Sequence, residues 1–392
     1  MSRRVSLLSI LKLYFLVFCV ILPVLCHRMY FSIYYSQYLH MAGEDPGSYS
    51  GRINDERRSQ AQEFFASKTV DGSSNVVLDT RTKVKLAIGI LTVNRHFRTQ
   101  DGGFYNPGYL LQTVAAILQD RPPFSTRVLI CNMDSDPISH SDAVLLSLLV
   151  PVRSKYQLAN GLKPPEGANE KYREDYVFCL NQTLALNSEY ILVVEDDAVA
   201  LRGTFDIIDH IIRTKLEHRY HGFELKKNDK YNSTKTVIKL FSPPYHQRDF
   251  FTAKPKRIII NSLELLGIGI VGGTAIIILD FLLVAKFRRP FVLDKRFFVA
   301  AFFCCALSAL AISRPHLLEL RRISKHLYLM IEANDCCTQA VLYPRGAALE
   351  LMSYLHTYGR HYPSKPLDGA LDDFVRTRGY RQFAVEPNCF PT

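Results

Sequence analysis

Three apolar runs constrain this chain more than any other feature of its sequence. The first extends from Val5 to Cys26, the second from Ile258 to Ala285 and the third from Phe297 to Ile312. A helix needs about 20 mostly apolar residues to cross a bilayer, so each run is long enough, or nearly so, to span one. Three spans are too few for a polytopic transporter, and the rest of the chain must fold in water.

The first run is interpreted as a signal anchor. Arg3 and Arg4 precede it, and it is longer than the apolar core of a usual signal peptide. The residues at its end, Cys26, His27 and Arg28, lack the small-residue pattern at which signal peptides are cut. A cleaved signal peptide is the alternative interpretation.

The second and third runs predict a transmembrane hairpin over residues 258–312. Their connection, residues 286–296, is short and carries five basic residues, which is typical of a cytoplasmic turn. The N-terminus would then be cytoplasmic, and residues 27–257 and 313–392 would both lie on the opposite side of the membrane. The alternative is a buried core hairpin of a soluble domain.

The sequence on that opposite side alternates between strand and helix patterns. Near-continuous apolar runs such as Lys85–Val93 are typical of buried parallel strands. Strands are predicted at 85–93, 127–132, 190–194 and 337–343, and helices at 106–120, 142–150, 169–186 and 346–358. The alternation predicts an α/β domain with a mostly parallel sheet.

These patterns predict five segments. They are a cytoplasmic tail with an anchor helix (1–40), a polar stem (41–80), the first part of the α/β domain (81–257), the transmembrane hairpin (258–312) and the second part of the domain (313–392). The hairpin is therefore expected to interrupt one folded domain rather than to end it.

The net charge of +11 predicts an anionic partner, and the positions of the charges indicate which kind. Basic residues lie mostly beside the apolar runs and are otherwise scattered. The sequence has no dense Lys/Arg tract with interleaved aromatic residues, so a nucleic-acid partner is not expected. A lipid bilayer and a phosphate-bearing substrate fit the distribution better.

A lumenal position of the α/β domain would permit N-glycans and disulfides. Glycosylation sequons begin at Asn181 and at Asn232, and Asn232 lies in the more polar segment. Five cysteines are expected on this side, so they cannot all pair among themselves, and the sequence does not fix their connectivity: Cys131, Cys179, Cys336, Cys337 and Cys389.

Three consecutive carboxylates, Glu195, Asp196 and Asp197, follow the third predicted strand. Ligand sites in open α/β sheets lie at the carboxyl ends of strands. Such a cluster repels itself unless a cation neutralises it, and oxygen ligands suit Mn²⁺ or Mg²⁺. A cation held by one or two carboxylates keeps positions open for substrate phosphates.

The strand geometry makes a further prediction about this acidic triplet. Side chains alternate along a strand, so Glu195 and Asp197 should share one side while Asp196 points to the other. The alternative to a metal site is an acidic turn after a buried strand. A structure that places the three carboxylates away from any cavity, or buries them in ion pairs with arginines, would overturn the enzymatic interpretation.

The combination of features resembles one family of GT-A glycosyltransferases. The similarity lies in the strand that ends Val193–Asp197, the hairpin that divides the domain, and the later segments Cys336–Ala340 and Leu371–Val375. These resemble the Golgi family that adds the N-acetylgalactosamine side chain to GPI anchors. The resemblance covers nearly the whole chain, and the inserted hairpin makes it specific.

The resemblance implies a GT-A-like fold in a multi-pass Golgi membrane protein with a lumenal catalytic domain. It implies transfer of N-acetylgalactosamine from UDP-N-acetylgalactosamine to the first mannose of the glycan on GPI-anchored proteins. Glu195, Asp196 and Asp197 match the family's acidic triplet, whose role would be to hold Mn²⁺ and the donor diphosphate. Two alternatives stay open: another GT-A transferase, such as an N-acetylglucosaminyltransferase acting on N-glycans, and a membrane-tethered, non-catalytic glycan-binding module.

Four further donor-binding residues are predicted from their positions after strands. Thr92, Asn94 and Arg95 follow the first strand, where a uridine diphosphate would lie. The Arg95 guanidinium could bind a phosphate bidentately, or it could be a surface arginine in a loop. Asp134 ends the second strand and could bind a ribose hydroxyl, or it could form an Asx turn.

The general base and the acceptor cleft are predicted in the last part of the chain. If transfer inverts the anomeric centre, a base must deprotonate the acceptor hydroxyl, and Asp368, Asp372 and Asp373 are the candidates. Their alternative role is to complement the dipole at a helix N-terminus. Thr338 and Gln339 precede or begin a strand that could line the acceptor cleft.

Overall fold

The computed structural model describes most of the chain, and all structural statements below concern the residues that it describes. These are residues 7–29, 31–35, 46–70, 84–95, 97–98, 104–120, 122–156, 163–217, 219–220, 223–224, 235–243, 255–286, 295–333 and 336–390. The sequon at Asn232 and most of the predicted cytoplasmic turn lie outside them.

The helices follow the apolar periodicity of the sequence. They are α1 (Leu7–Phe15), α2 (Leu22–Cys26), α3 (Pro46–Val70), α4 (Tyr109–Gln119), α5 (Ser141–Leu146), α6 (Ala168–Leu184), α7 (Thr204–Ile211), α8 (Pro255–Lys286), α9 (Lys295–Ile312), α10 (Arg314–Leu318), α11 (Arg345–His361) and α12 (Leu367–Arg378). A π-helical segment, Leu16–Ile21, joins α1 to α2.

The strands comprise one large sheet and two short hairpins. They are β1 (Val84–Thr92), β2 (Phe97–Arg98), β3 (Phe104–Tyr105), β4 (Thr126–Asn132), β5 (Val152–Ser154), β6 (Ser188–Glu195), β7 (Arg219–Tyr220), β8 (Phe223–Glu224), β9 (Thr236–Lys239), β10 (Leu329–Glu332), β11 (Ala340–Pro344) and β12 (Arg381–Glu386).

The chain divides into two compact units. The helical unit comprises Met1–Tyr49 and Pro243–Ile323, and the sheet unit comprises Ser50–Ser242 and Ser324–Thr392. The sheet unit includes most of α3, because Ala61 and Phe65 of that helix are buried in its core. Part of the predicted stem is therefore packed against the sheet.

The large sheet has eight strands in the order β10-β12-β9-β11-β6-β1-β4-β5. The strands β6, β1, β4 and β5 are mutually parallel, and so are β12 and β9, whereas β11 and β10 run antiparallel to their neighbours. The prediction of an α/β fold with a mainly parallel sheet is confirmed.

Both faces of the sheet are covered, which explains the continuous apolar runs of β1 and β6. Ile88, Ile90 and Leu192 pack on one face, in a core that includes residues of α4 and α7. Ile191 and Val193 pack on the other face, in a core that includes residues of α6, α11 and α12. A disulfide between Cys131 and Cys179 ties β4 to α6.

Gly89 of β1 allows α6 to approach the sheet closely. A Cβ atom at this position would lie 2.1 Å from Oγ1 of Thr183 and 3.1 Å from Sγ of Cys179. We expect Gly89→Ala to lower the free energy of unfolding by about 1–3 kcal/mol, because the buried neighbours cannot move away freely. Thermal unfolding of the purified full-length chain would measure this loss.

Gly346→Ala is the matched control. Gly346 lies in the first turn of α11, and a Cβ atom there would have no neighbour within 4 Å. Alanine favours helix over glycine, so this variant should be as stable as the native chain or slightly more so. Equal stability of the two variants would contradict the close-approach argument at Gly89.

In the helical unit, α8 and α9 provide two segments long and apolar enough to cross a membrane, Ile258–Leu283 and Lys295–Ile312. They pack closely at glycines. Cβ atoms at Gly269 and Gly272 would lie 2.6 Å from Phe302 and 2.7 Å from Cys305, respectively. Their length and composition support a membrane protein, as the sequence predicts.

Glu264 is the acidic residue that would be most costly inside α8. Its carboxylate is paired within the helical unit, 2.9 Å from Nε of Arg314 and 2.7 Å from Nη2 of Arg321. Two cations therefore compensate one partly buried anion, and Glu264 carries no unpaired charge in the span.

Candidate active site at the carboxyl end of the parallel strands

The acidic triplet lies where β6 ends, beside the ends of β1 and β4. The register pairs Leu91 with Glu195 and Thr92 with Asn132, so the three parallel strands end at one edge of the sheet. β6 ends at Glu195, and Asp196 and Asp197 belong to the turn that follows. These two residues are called the acidic turn below.

Glu195 is buried and is committed to hydrogen bonds on the α6 side. Its Oε1 accepts hydrogen bonds from the Tyr172 hydroxyl at 2.5 Å and the Thr338 hydroxyl at 2.9 Å. Its backbone N–H donates to the carbonyl of Gln339 at 2.7 Å. Burial raises the pKa of Glu195 to about 7, although both hydroxyl donors favour its ionised form.

Asp196 is buried on the other side of the strand end. Its Oδ2 accepts a hydrogen bond of 2.7 Å from the Thr92 hydroxyl, which lies 2.9 Å from Nε2 of His140. Because the Thr92 hydroxyl has one proton and gives it to Asp196, His140 donates from Nε2 in this arrangement. Burial raises the pKa of Asp196 to about 6, against the opposing effect of Arg95.

Arg95 bridges both residues of the acidic turn. Its Nη2 lies 2.9 Å from Oδ1 of Asp196, and its Nη1 donates to Oδ2 of Asp197, also at 2.9 Å. The contact with Asp196 has the distance of an ion pair but not the alignment of a hydrogen bond, so Asp196 Oδ1 has no hydrogen-bond partner. The predicted phosphate ligand is therefore an ion-pair partner of the aspartates here.

The predicted alternation of the triplet holds for Glu195 and Asp196, which lie on opposite sides of the strand end, but it fails for Asp197. Asp196 and Asp197 share one guanidinium, whereas Glu195 contacts Tyr172 and Thr338. The reason is that the strand ends at Glu195, and alternation of side chains holds only within extended backbone. The carboxylates thus separate into one committed to α6 and two that face Arg95.

The acidic turn fits a divalent cation that also binds substrate. Oδ1 of Asp196 and Oδ1 of Asp197 are buried oxygens without a hydrogen-bond partner. Within the described part of the chain, no three His, Cys, Asp or Glu side chains converge on one point. Mg²⁺ and similar cations are commonly held by one or two carboxylates together with substrate phosphates, and these two aspartates match that pattern. Glu195 does not belong to this pair.

Carboxylates buried in ion pairs with arginines are expected, from the sequence, to overturn the enzymatic interpretation. Arg95 forms ion pairs with two of the three carboxylates. Arg95 is the most exposed member of the cluster: its side chain is 32% exposed, compared with 25% for Asp197 and 3% for Asp196. These ion pairs are partly buried, so a cation that binds the acidic turn has to displace Arg95 from both carboxylates. The pairing therefore identifies a competitor for the acidic turn, and a metal site there is a proposal.

Asn94 and Asp134 organise the loops beside this edge. The Asp134 carboxylate accepts hydrogen bonds from the backbone N–H groups of Asn94 at 3.1 Å and Asp136 at 3.0 Å. The Asn94 side chain donates to the carbonyl of Ser139. Asp134 thus forms the Asx turn that was its alternative role, and Asn94 ties the loop after β1 to the loop after β4.

The three candidate bases have different surroundings. Asp368, at the start of α12, accepts a hydrogen bond of 3.2 Å from the backbone N–H of Cys337 and contributes to the raised pKa of Tyr172, which burial mainly causes. Asp372 lies one turn further along α12. Asp373 accepts a hydrogen bond from the Tyr358 hydroxyl at 2.7 Å and pairs with Arg376. Of Asp368 and Asp373, Asp368 is the one whose charge acts on the Tyr172 hydroxyl, which in turn binds Glu195.

The segment before β11 contacts both Glu195 and Asp368. Cys336 and Cys337 form a disulfide between neighbouring residues, and the buried Lys239 donates to the carbonyl of Cys336 at 2.6 Å. The next residues, Thr338 and Gln339, bind Glu195 through a hydroxyl and a backbone carbonyl. The predicted acceptor residues therefore lie beside Glu195 and two residues from the Asp368 contact.

Sequence reasoning missed Tyr172, His140 and the Cys336–Cys337 disulfide. Tyr172 shares the helical stripe of Tyr176, Cys179 and Thr183, which marks the face of α6 that packs on the sheet. That stripe predicts burial, but only the packing of α6 against β6 brings the Tyr172 hydroxyl to Glu195. The adjacent cysteines were a visible signal, although their pairing was not fixed.

A separate cavity of about 780 Å³ lies between α6 and α11. Its lining includes Asn181, Phe178, Arg173 and His356, and it includes no residue of the acidic triplet. Asn181 is exposed there, so the sequon is accessible in the folded chain. The cavity is on the outer side of α6, away from the face that carries Tyr172.

The chain matches a known family. A family model described as "GPI-N-acetylgalactosamine transferase PGAP4" matches residues 86–391. The match covers well over half of the chain and includes both parts of the sheet, the acidic triplet and the helices α8 and α9 that separate them in the sequence.

Proposed function

The chain belongs to the GPI-N-acetylgalactosamine transferase family, and from that premise we propose that it transfers N-acetylgalactosamine from UDP-N-acetylgalactosamine to the first mannose of the GPI glycan. Its class, a glycosyltransferase acting on the glycan of GPI-anchored proteins, follows from the family. The donor nucleotide and the accepting mannose are part of the proposal.

The acidic turn is the observation that carries this proposal. Two aspartates at the carboxyl ends of parallel strands present buried oxygens without hydrogen-bond partners. Ligands of open α/β sheets bind at this edge. A sugar nucleotide with its diphosphate and a divalent cation is the ligand class that two such carboxylates suit.

Asp196 and Asp197 would hold Mn²⁺ or Mg²⁺ together with the donor diphosphate. When bound, the cation supplies Lewis-acid stabilisation of the departing diphosphate. Thr92 holds Asp196 in place through a hydrogen bond of 2.7 Å, and His140 in turn holds Thr92. These contacts fix the ligand geometry, as second-shell contacts usually do.

Asp368 is the proposed general base if the reaction inverts the anomeric centre. Its position near the Tyr172–Glu195 pair and beside the segment Cys336–Gln339 supports a role at the acceptor side. Tyr172 and Thr338 would keep Glu195 oriented between the donor side and the acceptor side. The fold is proposed to be of the GT-A type.

The membrane assignment completes the proposal. We place the catalytic unit in the Golgi lumen, with the N-terminal apolar helix as signal anchor and α8 and α9 as a hairpin whose turn is cytoplasmic. The segment boundaries predicted from the sequence are kept as part of this proposal. A GPI substrate is itself anchored in the bilayer, so tethering the enzyme to the same surface raises the local concentration of acceptor.

The proposal is tested in cells that lack this protein. GPI glycans released from those cells should lack the mass of one N-acetylhexosamine, and expression of the native chain should restore it. A donor panel with purified protein then distinguishes UDP-N-acetylgalactosamine from UDP-N-acetylglucosamine. Unchanged GPI glycans together with altered N-glycans would support the other transferase class instead.

A further inference from the structure

We propose that Arg95 is an exchangeable counter-ion of the acidic turn: it pairs with Asp196 and Asp197 before a divalent cation binds, and it then moves to the donor diphosphate. This inference rests on the proposed function. It reconciles the phosphate-binding role expected from the sequence with the ion pairs observed in the structure, because the two become successive positions of one side chain.

The first argument is competition for the same two carboxylates. Arg95 places one nitrogen 2.9 Å from Oδ1 of Asp196 and another 2.9 Å from Oδ2 of Asp197, so a single guanidinium bridges the two carboxylates that would hold the cation. The Oδ1 atoms of both aspartates are buried, so they are not freely open to solvent while this arrangement holds. Two cations cannot share these carboxylates without strong repulsion, so binding of one requires departure of the other.

The second argument is that Asp196 is held more firmly than Arg95. Asp196 receives a hydrogen bond from Thr92, and its backbone N–H and carbonyl are bonded to Leu91 and Thr113. Arg95 lies outside the strand that precedes it, and its side chain is 32% exposed, compared with 3% for Asp196. The long, partly exposed arginine side chain is therefore the member of this pair that can move.

The third argument is that the displaced guanidinium has suitable partners. It already lies 5.8 Å from the ring centre of Tyr109, a contact that favours a cation and can guide its movement. A planar guanidinium matches a diphosphate better than it matches two separate carboxylates. Binding of the divalent cation should then free a phosphate ligand, so cation and donor should strengthen each other's binding.

The experiment compares Mn²⁺ and UDP binding to the purified full-length chain and its Arg95→Gln variant in nanodiscs. Free Mn²⁺ is followed by its electron paramagnetic resonance signal. Without UDP, Arg95→Gln should bind Mn²⁺ about fivefold to tenfold more tightly, because no ion pair has to be broken. With saturating Mn²⁺, the same variant should bind UDP about tenfold more weakly, because one phosphate contact is lost.

Two further variants control this measurement. Arg360→Gln removes an exposed positive charge from α11 and should leave both affinities unchanged. Arg95→Lys keeps the charge but cannot bridge two carboxylates as a guanidinium does, so its Mn²⁺ affinity should lie between those of the native chain and Arg95→Gln. This conservative variant also keeps the test valid if Arg95→Gln does not fold.

The outcomes separate this inference from the proposed function. If Arg95→Gln and Arg95→Lys bind Mn²⁺ no more tightly than the native chain, the exchange is refuted, whereas Mn²⁺-dependent transfer by the native chain would leave the proposed function standing. If no variant binds Mn²⁺ and transfer proceeds without it, both the exchange and the metal assignment are refuted. Opposite changes in Mn²⁺ and UDP affinity would support the exchange.

Discussion

Asp197→Asn is expected to abolish transfer of N-acetylgalactosamine to GPI glycans, with a loss of about 10²-fold or more in turnover. The substitution keeps the size of the side chain and an oxygen that can accept from Arg95, which is 2.9 Å from Oδ2 of Asp197. It removes the negative charge that a divalent cation requires. The loss should therefore come from chemistry and metal binding, and the fold should be preserved.

The test measures transfer in parallel with Mn²⁺ titration and thermal unfolding. Asp209→Asn is the matched control, because Asp209 also pairs with an arginine, Arg213, at 2.8 Å on the surface of α7. It should keep native activity and native Mn²⁺ dependence. If Asp197→Asn transfers sugar at the native rate, the acidic turn is a structural feature, and the glycan-binding or structural alternative gains support.

The position of the site could be predicted from the sequence because it depends on two strong signals. The continuous apolar runs that become β1 and β6 predict buried parallel strands, and the carboxylates lie immediately after β6. The helices α4, α6 and α11 were expected within a few residues of their observed bounds, because each has a long apolar stripe.

The parts of the fold that were not predicted from the sequence are short strands with weak local signals. The strands β9, β10 and β12 have four, four and six residues and pair with partners far away in the sequence. Such strands are stabilised by neighbours rather than by local preference, so a single sequence marks them poorly. This explains why β1, β4, β6 and β11 were expected, whereas the three-residue strand β5 and the strands at the other edge were not.

The contacts within the site depend on tertiary packing and could not be read locally. Tyr172 lies 23 residues before Glu195 in the sequence, on a different element, and meets it only when α6 packs on β6. The pairing of Arg95 with the acidic turn depends on how the loop after β1 folds back across the strand ends. The sequence predicted that acidic residues lie at this edge of the sheet, but the partners of each carboxylate are set by the fold.

Asp368→Asn is expected to lower the turnover number by about 10²-fold or more while leaving UDP affinity close to native, if Asp368 is the general base. An asparagine can still accept the hydrogen bond that the Cys337 backbone donates at 3.2 Å, so the segment before β11 should keep its position. What the variant loses is the ability to take a proton from the acceptor hydroxyl.

Asp373→Asn is the control for this second prediction. Asp373 lies on the same helix, but its carboxylate is bound by Tyr358 and Arg376, so its replacement should change stability more than transfer. Transfer and donor hydrolysis measured on both variants separate the two roles. Loss of a base positioned for the acceptor hydroxyl should lower transfer to the acceptor sugar more than it lowers hydrolysis of the donor by water. A native turnover number for Asp368→Asn, or an equal loss in both variants, would remove Asp368 from the catalytic role and leave the acidic start of α12 as a helix-capping feature.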